Sequence, residues 1–281
     1  MKSKKGNQIK KQIARIKLYL SESNSLFYAC KRKLLPTKFP RLLVNRINPK
    51  FFNHTARRIN RIMQDKDYDY LEIGVADGTT LQSVSSKRKH GVDPFPLFNL
   101  KRLPEGITFD LATSNDYFNE LHNDKKFNFI FLDGLHESSQ LMLDLLNALK
   151  HISIPGWILI DDIVPSDSIS AISSMEKSYQ IRGVSQNEGY PWHGDCYKIL
   201  PFIQERFPEI ELFLIIYPDN PQLLLRIDQP LILERIQNIP QKLNFDYFEV
   251  FSLKKLQSYP IFIEEVLIKE LTRRGWIANS D

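Results

Sequence analysis

The chain has 281 residues, 42% apolar, 11% aromatic and 25% charged, with two cysteines and a formal net charge of +5. These values exclude collagen-like, disulfide-scaffold and wholly disordered classes. No apolar run approaches the roughly 18–20 residues needed to span a bilayer, and the basic start MKSKKGNQIKKQIARIKLYL lacks the apolar stretch of a secretory signal. Cys30 and Cys196 cannot build a disulfide framework, so both read as inert packing residues and a reducing cytoplasm is the expected compartment.

The charge is unevenly placed. Residues 1–62 carry 17 Lys/Arg against the single acid Glu22, while the remainder carries 21 Lys/Arg against 32 Asp/Glu. The pattern is that of a basic arm on an acidic body. Ile9, Ile13, Ile16 and Tyr19 recur at helical spacing, so part of the arm is expected as an amphipathic helix. It either caps the acidic body or docks peripherally on anionic membrane at the inner face. Nucleic acid is the least favoured partner, because RNA-stacking glycine–aromatic motifs are missing.

From there strand-like and helix-like stretches alternate, the signature of a parallel sheet covered by helices. DYLEIGV (69–75), KHGVD (89–93), GITFDLA (106–112), KFNFIFLD (126–133) and WILIDDI (157–163) read as strands, and SSQLMLDLLNALKH (138–151) as a helix opened by serine. ELFLIIYPDNPQLLLRID (211–228) reads instead as two strands joined by a Pro-Asp-Asn-Pro turn, an antiparallel hairpin. The expected fold is therefore α/β: a doubly wound, mostly parallel, seven-stranded sheet with one reversed strand. Three regions are expected: a basic, partly helical N-terminal extension over 1–62, a central domain over 63–230, and a C-terminal helical or irregular extension over 231–281.

In an open parallel sheet, ligands bind at the carboxyl ends of the strands. The loop after the first strand reads Glu72-Ile-Gly74-Val-Ala-Asp77-Gly78-Thr79-Thr80, and Asp93 ends the second strand about 20 residues on. Glycines there let the backbone turn tightly and approach a ligand, and an acid at the next strand end suits a ribose diol. The spacing is not GxGxxG, and no GxxxxGK[ST] phosphate loop is present. LEIGVADGTT and HGVDPFP resemble the first two motifs of the class I S-adenosylmethionine-dependent methyltransferases, a Rossmann-like family. The resemblance implies that Glu72, Gly74 and Gly78 line the methionine part of the cofactor. It also implies that Asp93 binds its ribose and that Thr113 or Ser114 lies near its adenine.

The fourth strand ends in Asp133-Gly134-Leu135-His136-Glu137 and the fifth in Asp161-Asp162. Adjacent parallel strands would bring Asp133, Asp161 and Asp162 to one spot, where unpaired carboxylates repel. A hard divalent cation such as Mg²⁺ removes that penalty, and zinc is disfavoured because no Cys/His cluster has ligand spacing. A metal-bound hydroxyl has a lowered pKa, and His136, three residues beyond Asp133, is placed to take its proton. DGLHE, the tandem Asp161-Asp162 and Trp192-His193-Gly194-Asp195-Cys196-Tyr197-Lys198 resemble the metal-dependent, macrocin-type sugar O-methyltransferases, over about residues 68–228. That resemblance implies a methyl transfer to a hydroxyl of a sugar, glycan or small natural product. Asp133 and His136 are the catalytic candidates, and Trp192, His193 and Asp195 lie at the acceptor. The alternatives are a metal-independent methyltransferase, or a silent cofactor-binding subunit that docks through its basic N-terminus.

Overall fold

The computed structural model describes residues 53–184, 191–217, 220–230, 240 and 242–278. Cys30, the helical repeat Ile9–Tyr19, and Pro218 and Asp219 of the hairpin turn lie outside the described residues.

A helix, α1 (His54–Ile62), precedes the first strand, β1 (Asp69–Ile73). Then follow α2 (Thr79–Ser83), β2 (Arg88–Val92), β3 (Ile107–Asp110), α3 (Ser114–Glu120), β4 (Phe127–Leu132), α4 (Ser138–His151) and β5 (Ile152–Ile160). The second half adds α5 (Met175–Arg182), α6 (Ile199–Arg206), β6 (Glu211–Tyr217), β7 (Gln222–Ile227), α7 (Tyr247–Val250), α8 (Leu253–Leu256), β8 (Ile261–Ile263) and α9 (Glu264–Arg273). The sheet order is β3-β2-β1-β4-β5-β7-β6-β8. β1 to β5 are mutually parallel, and β7 runs antiparallel to both neighbours. Strand order reverses direction between β1 and β4, which is where a ligand crevice forms.

Side chains of the central strands alternate between two apolar layers, as the two-residue period of a strand requires. Leu71, Ile130, Leu132, Ile158 and Ile160 pack with Leu141, Leu145 and Leu149 of α4 and with Ile199, Leu200 and Ile203 of α6. On the other face Tyr70, Phe129, Phe131, Trp157 and Leu159 pack with Ala56, Ile59 and Ile62 of α1 and with Leu267, Ile268 and Leu271 of α9. Among the described residues no helix is long and apolar enough to cross a membrane.

The doubly wound, mostly parallel architecture is the one expected, with one strand more than seven. Ile261–Ile263 pairs parallel to β6, in the register Leu214↔Ile261, inside a region read as helix and loop. Three residues flanked by Pro260 and the Glu264-Glu265 helix start are too short for alternation to register in the sequence. The basic arm also divides. Asn53 caps α1 by accepting the Ala56 N–H at 2.7 Å. Arg57, Arg58 and Arg61 then converge on Glu264 of α9, at 3.1, 3.0 and 2.9 Å. Three of the arm's cations are thus internal to the fold.

Glu264 and Arg58 are both fully buried, so neither charge has water to fall back on. Glu264→Gln is expected to cost about 3–5 kcal/mol in urea unfolding, the penalty of an uncompensated buried charge. Glu265→Ala, which removes only the exposed partner of Arg61, is expected to cost less than about 1 kcal/mol.

Candidate active site

The glycine turn after β1 is built by close approach. Gly74 has φ +81°, and a Cβ there would lie 2.0 Å from the Asp133 carbonyl oxygen; only glycine lets the β1 and β4 ends touch. Asp93, at the end of β2, fastens the turn. Its Oδ2 accepts the N–H groups of Val75 and Ala76 at 2.8 and 2.9 Å, and its Oδ1 accepts that of Phe95 at 2.7 Å. Thr113 caps α3 by accepting the Asp116 N–H at 3.2 Å. Gly74, Asp93, Thr113, Ser114, Asp133 and His136 share the lining of one cavity of about 670 Å³ at the carboxyl ends of the strands. Phe95 and Leu135, 82% and 55% exposed, border the same cavity and give its mouth an apolar rim.

Two cofactor candidates sit differently from the expectation. Glu72 is fully buried and does not line the cavity; it accepts the Tyr70 hydroxyl at 2.6 Å and the Leu81 backbone N–H. Burial drives its pKa well above the usual carboxylate range. The side chain therefore ties β1 to α2 from beneath the turn. Gly78 begins α2 with φ +76°, and a Cβ there would meet Phe98 and Gln82 rather than open space.

The acidic cluster lies at the edge of the cavity. Asp133, His136 and Asp162 can each direct one donor atom to within 4.8 Å of the others. His136 Nδ1 is 3.0 Å from Asp162 Oδ2, and its Nε2 is 3.6 Å from Asp133 Oδ1. Burial alone would lower the His136 pKa, but the hydrogen bonds and charges of Asp133 and Asp162 override it and push it up to about 11. Burial, reinforced by the charge of Asp162, raises Asp133 to about 6 despite the pull of His136. Burial also opposes the charge of Asp162, yet His136 and then His193 hold it below the ordinary value.

Asp161 stands apart from this trio. Its Oδ1 accepts the Asp162 N–H at 2.8 Å and its Oδ2 accepts the Asn220 amide at 3.0 Å. Successive side chains leave a strand in opposite directions, and Asp162 leaves β5 with φ +55°. The tandem acids are therefore split, one facing His136 and one facing the β6–β7 turn.

The Trp192–Lys198 motif packs beneath the same loop. Gly194 has φ +61°, and a Cβ there would lie 1.6 Å from the His136 carbonyl oxygen. Trp192 stacks on His136, ring centroids 5.3 Å apart, and donates its indole N–H to Ile172 at 2.7 Å. His193 Nε2 lies 3.8 Å from Asp162 Oδ1, and its buried Nδ1 has no hydrogen-bond partner among the described residues. Asp195, read as an acceptor contact, is instead a structural cap. It accepts the backbone N–H and hydroxyl of Ser138, at 2.7 and 3.0 Å, and the Lys198 ammonium at 2.7 Å. The first turn of α4 needs such an acceptor, and Glu137 supplies none from its side chain.

Sequence reasoning passed over Gln140 and Asp144. Gln140 borders the cavity and donates to the buried Asp144 at 2.9 Å, joining α4 to Ser114 at 3.1 Å. Only their four-residue spacing on one helix could have signalled it. A larger groove, about 870 Å³, lies at the opposite strand ends beside Arg88, Lys89, His90 and Lys125. It lies away from the Gly74 turn and the Asp133–His136–Asp162 cluster, and it is on the wrong side of a parallel sheet for a ligand site.

Residues 71–163 match a family model described as a methyltransferase domain. The chain is similar to solved structures at low identity. One is the N-methyltransferase NodS from Bradyrhizobium japonicum WM9, at 15% identity over 64% of this chain and 96% of that one, with a TM-score of 0.38. Another is an O-methyltransferase from Bacillus cereus in complex with SAH, at 16% identity over 74% and 90%, with a TM-score of 0.40. A third is the MycE methyltransferase of the mycinamycin biosynthetic pathway in complex with Mg and SAH, at 15% identity and a TM-score of 0.42. The similarity covers 66% of this chain and 51% of that protein. A comparison with curated proteins finds no match. The glycine turn, Asp93 and the β4 and β5 ends all fall within the matched residues.

Asp195→Ala is expected to remove the cap of α4 and leave Lys198 unpaired, costing about 1–3 kcal/mol in urea unfolding. An unchanged unfolding midpoint would contradict the capping role.

Proposed function

We propose that the chain transfers the methyl group of S-adenosylmethionine to a hydroxyl of a sugar, glycan or small natural product, with a divalent cation, Mg²⁺, at the acidic cluster. The observation that carries this reading is the meeting of Asp133, His136 and Asp162 beside the cavity that holds the glycine turn and Asp93.

The residues fit both groups. The cavity offers a close-packed glycine turn for the methionine part, the Asp93 carboxylate for a ribose diol, and Thr113 and Ser114 for the base. The cluster fits a cation because Asp133, His136 and Asp162 each direct one donor atom to within 4.8 Å of the others, two carboxylates and one imidazole of the kind that hold a hard divalent ion. A bound cation supplies charge to both carboxylates and lowers the pKa of an acceptor hydroxyl. Asp133 and Asp162 would hold the ion, and neutral His136 would accept the proton of the acceptor hydroxyl as its oxygen attacks the methyl carbon. Trp192, stacked against the imidazole, keeps its plane fixed and walls the acceptor side. The aromatic face suits a sugar ring.

The finished Asp162–His136 hydrogen bond supports a second reading, in which the two residues form a base dyad with no metal. Residues 1–52 carry 14 Lys/Arg, and contact with an anionic membrane surface through them remains part of the proposal.

Calorimetry with S-adenosylhomocysteine, and turnover on a panel of hydroxylated acceptors with and without chelator, separate the readings. Chelation is expected to abolish turnover while leaving cofactor-product affinity within a few-fold. His136→Gln is expected to lower turnover about 10²–10⁴-fold with the same affinity preserved. Asp93→Ala should do the reverse, weakening S-adenosylhomocysteine binding about 10–100-fold through lost charge-assisted hydrogen bonds. Chelator-insensitive turnover favours the dyad, and cofactor binding without turnover on any acceptor leaves a silent subunit.

A further inference from the structure

A buried chain of hydrogen bonds runs from the first helix to the acidic cluster. Arg58 of α1 is fully buried; its Nε donates to Glu264 at 3.0 Å, and its Nη1 donates to the Asn220 carbonyl at 3.2 Å and to Gln222 Oε1. Asn220 sits at the β6–β7 turn, and its side-chain amide donates to Asp161 Oδ2 at 3.0 Å. Asp161 Oδ1 in turn accepts the N–H of Asp162, whose other carboxylate face meets His136. The antiparallel pairing Ile160↔Leu223 is what brings the turn against the end of β5. Asn220 and Asp162 both hold φ values in the left-handed region, +39° and +55°, which non-glycine residues keep only when their surroundings fix them.

We propose that Asn220, seated on Arg58, is a positioning residue for the cation site: it orients Asp161, and through it Asp162, and so sets how tightly the cluster binds a divalent ion. The inference rests on the reading of that cluster as a cation site. Groups that hold a metal-binding carboxylate in place typically change metal affinity about 10–100-fold when removed. Asn220 contributes nothing to either apolar layer, so its loss strikes the site before it strikes the core. Arg58, which also neutralises Glu264, cannot be removed so cleanly.

The test is Mn²⁺ affinity, by electron paramagnetic resonance of free ion and by calorimetry, on the full chain. Asn220→Ala is expected to weaken Mn²⁺ binding about 10–100-fold while the chain stays folded with a modestly lowered thermal midpoint, and Asn220→Asp to fail likewise because two carboxylates then face each other. Asn220→Gln, which retains a donor, is expected to recover part of the affinity. Glu265→Ala, which removes only an exposed partner of Arg61, is the control that binds as the unaltered protein does. If the unaltered protein binds Mn²⁺ but Asn220→Ala binds it equally well, the positioning role is wrong and the cation site stands. If the unaltered protein binds no Mn²⁺, the cation site and the positioning role fall together.

Discussion

Negative charge gathered at the ends of two neighbouring strands is the constraint that shapes this molecule. β4 delivers Asp133 and β5 delivers Asp161 and Asp162 to a place largely shut off from water, where three carboxylates cannot all stay ionised without a counter-charge. The structure answers with what the chain possesses: His136 between two of the acids, an amide from Asn220 on the third, and Arg58 behind it. A buried acid with no such partner would neutralise itself and lose its chemistry.

Around this cluster, glycines decide how closely elements approach. Gly74 lets β1 touch the β4 turn, and Gly194 lets the Trp192–Lys198 motif press against the backbone of His136. In both cases a methyl group would sit within bonding distance of a carbonyl, so these contacts admit no larger residue without moving the loop that carries Asp133 and His136. The motif's residues divide their labour accordingly: Trp192 meets the imidazole, while Asp195 is spent on capping α4.

Much of the fold was legible from strand periodicity, because each central strand alternates its side chains between two helical layers and the hairpin advertises itself through prolines. The glycine turn after β1 was legible for a similar reason: its glycines and the acid that fastens it lie within 20 residues of one another. What the sequence hid was long-range. The capping by Asp195 spans 57 positions and the Arg58–Glu264 pair 206, and no spacing rule links residues so distant. Asp161 and Asp162 looked equivalent because adjacency in sequence conceals that a strand end sends neighbours to opposite sides. Asn220 read only as a turn residue, since the partner that gives it a task lies on another strand.

The short final strand changes the character of the sheet's far border. β6 carries Leu212 and Leu214 in the core, and its outer backbone groups are satisfied by β8, including the bond from Leu214 N–H to the Pro260 carbonyl. Without that strip, the rim of an apolar sheet would present unpaired amides and carbonyls to any extended chain nearby, the arrangement through which sheets add foreign strands and grow. The sheet's border is thereby a strand of only three residues, the short kind of edge that offers little backbone for foreign pairing, and the clamp of Arg57, Arg58 and Arg61 on Glu264 fastens the helix that follows it.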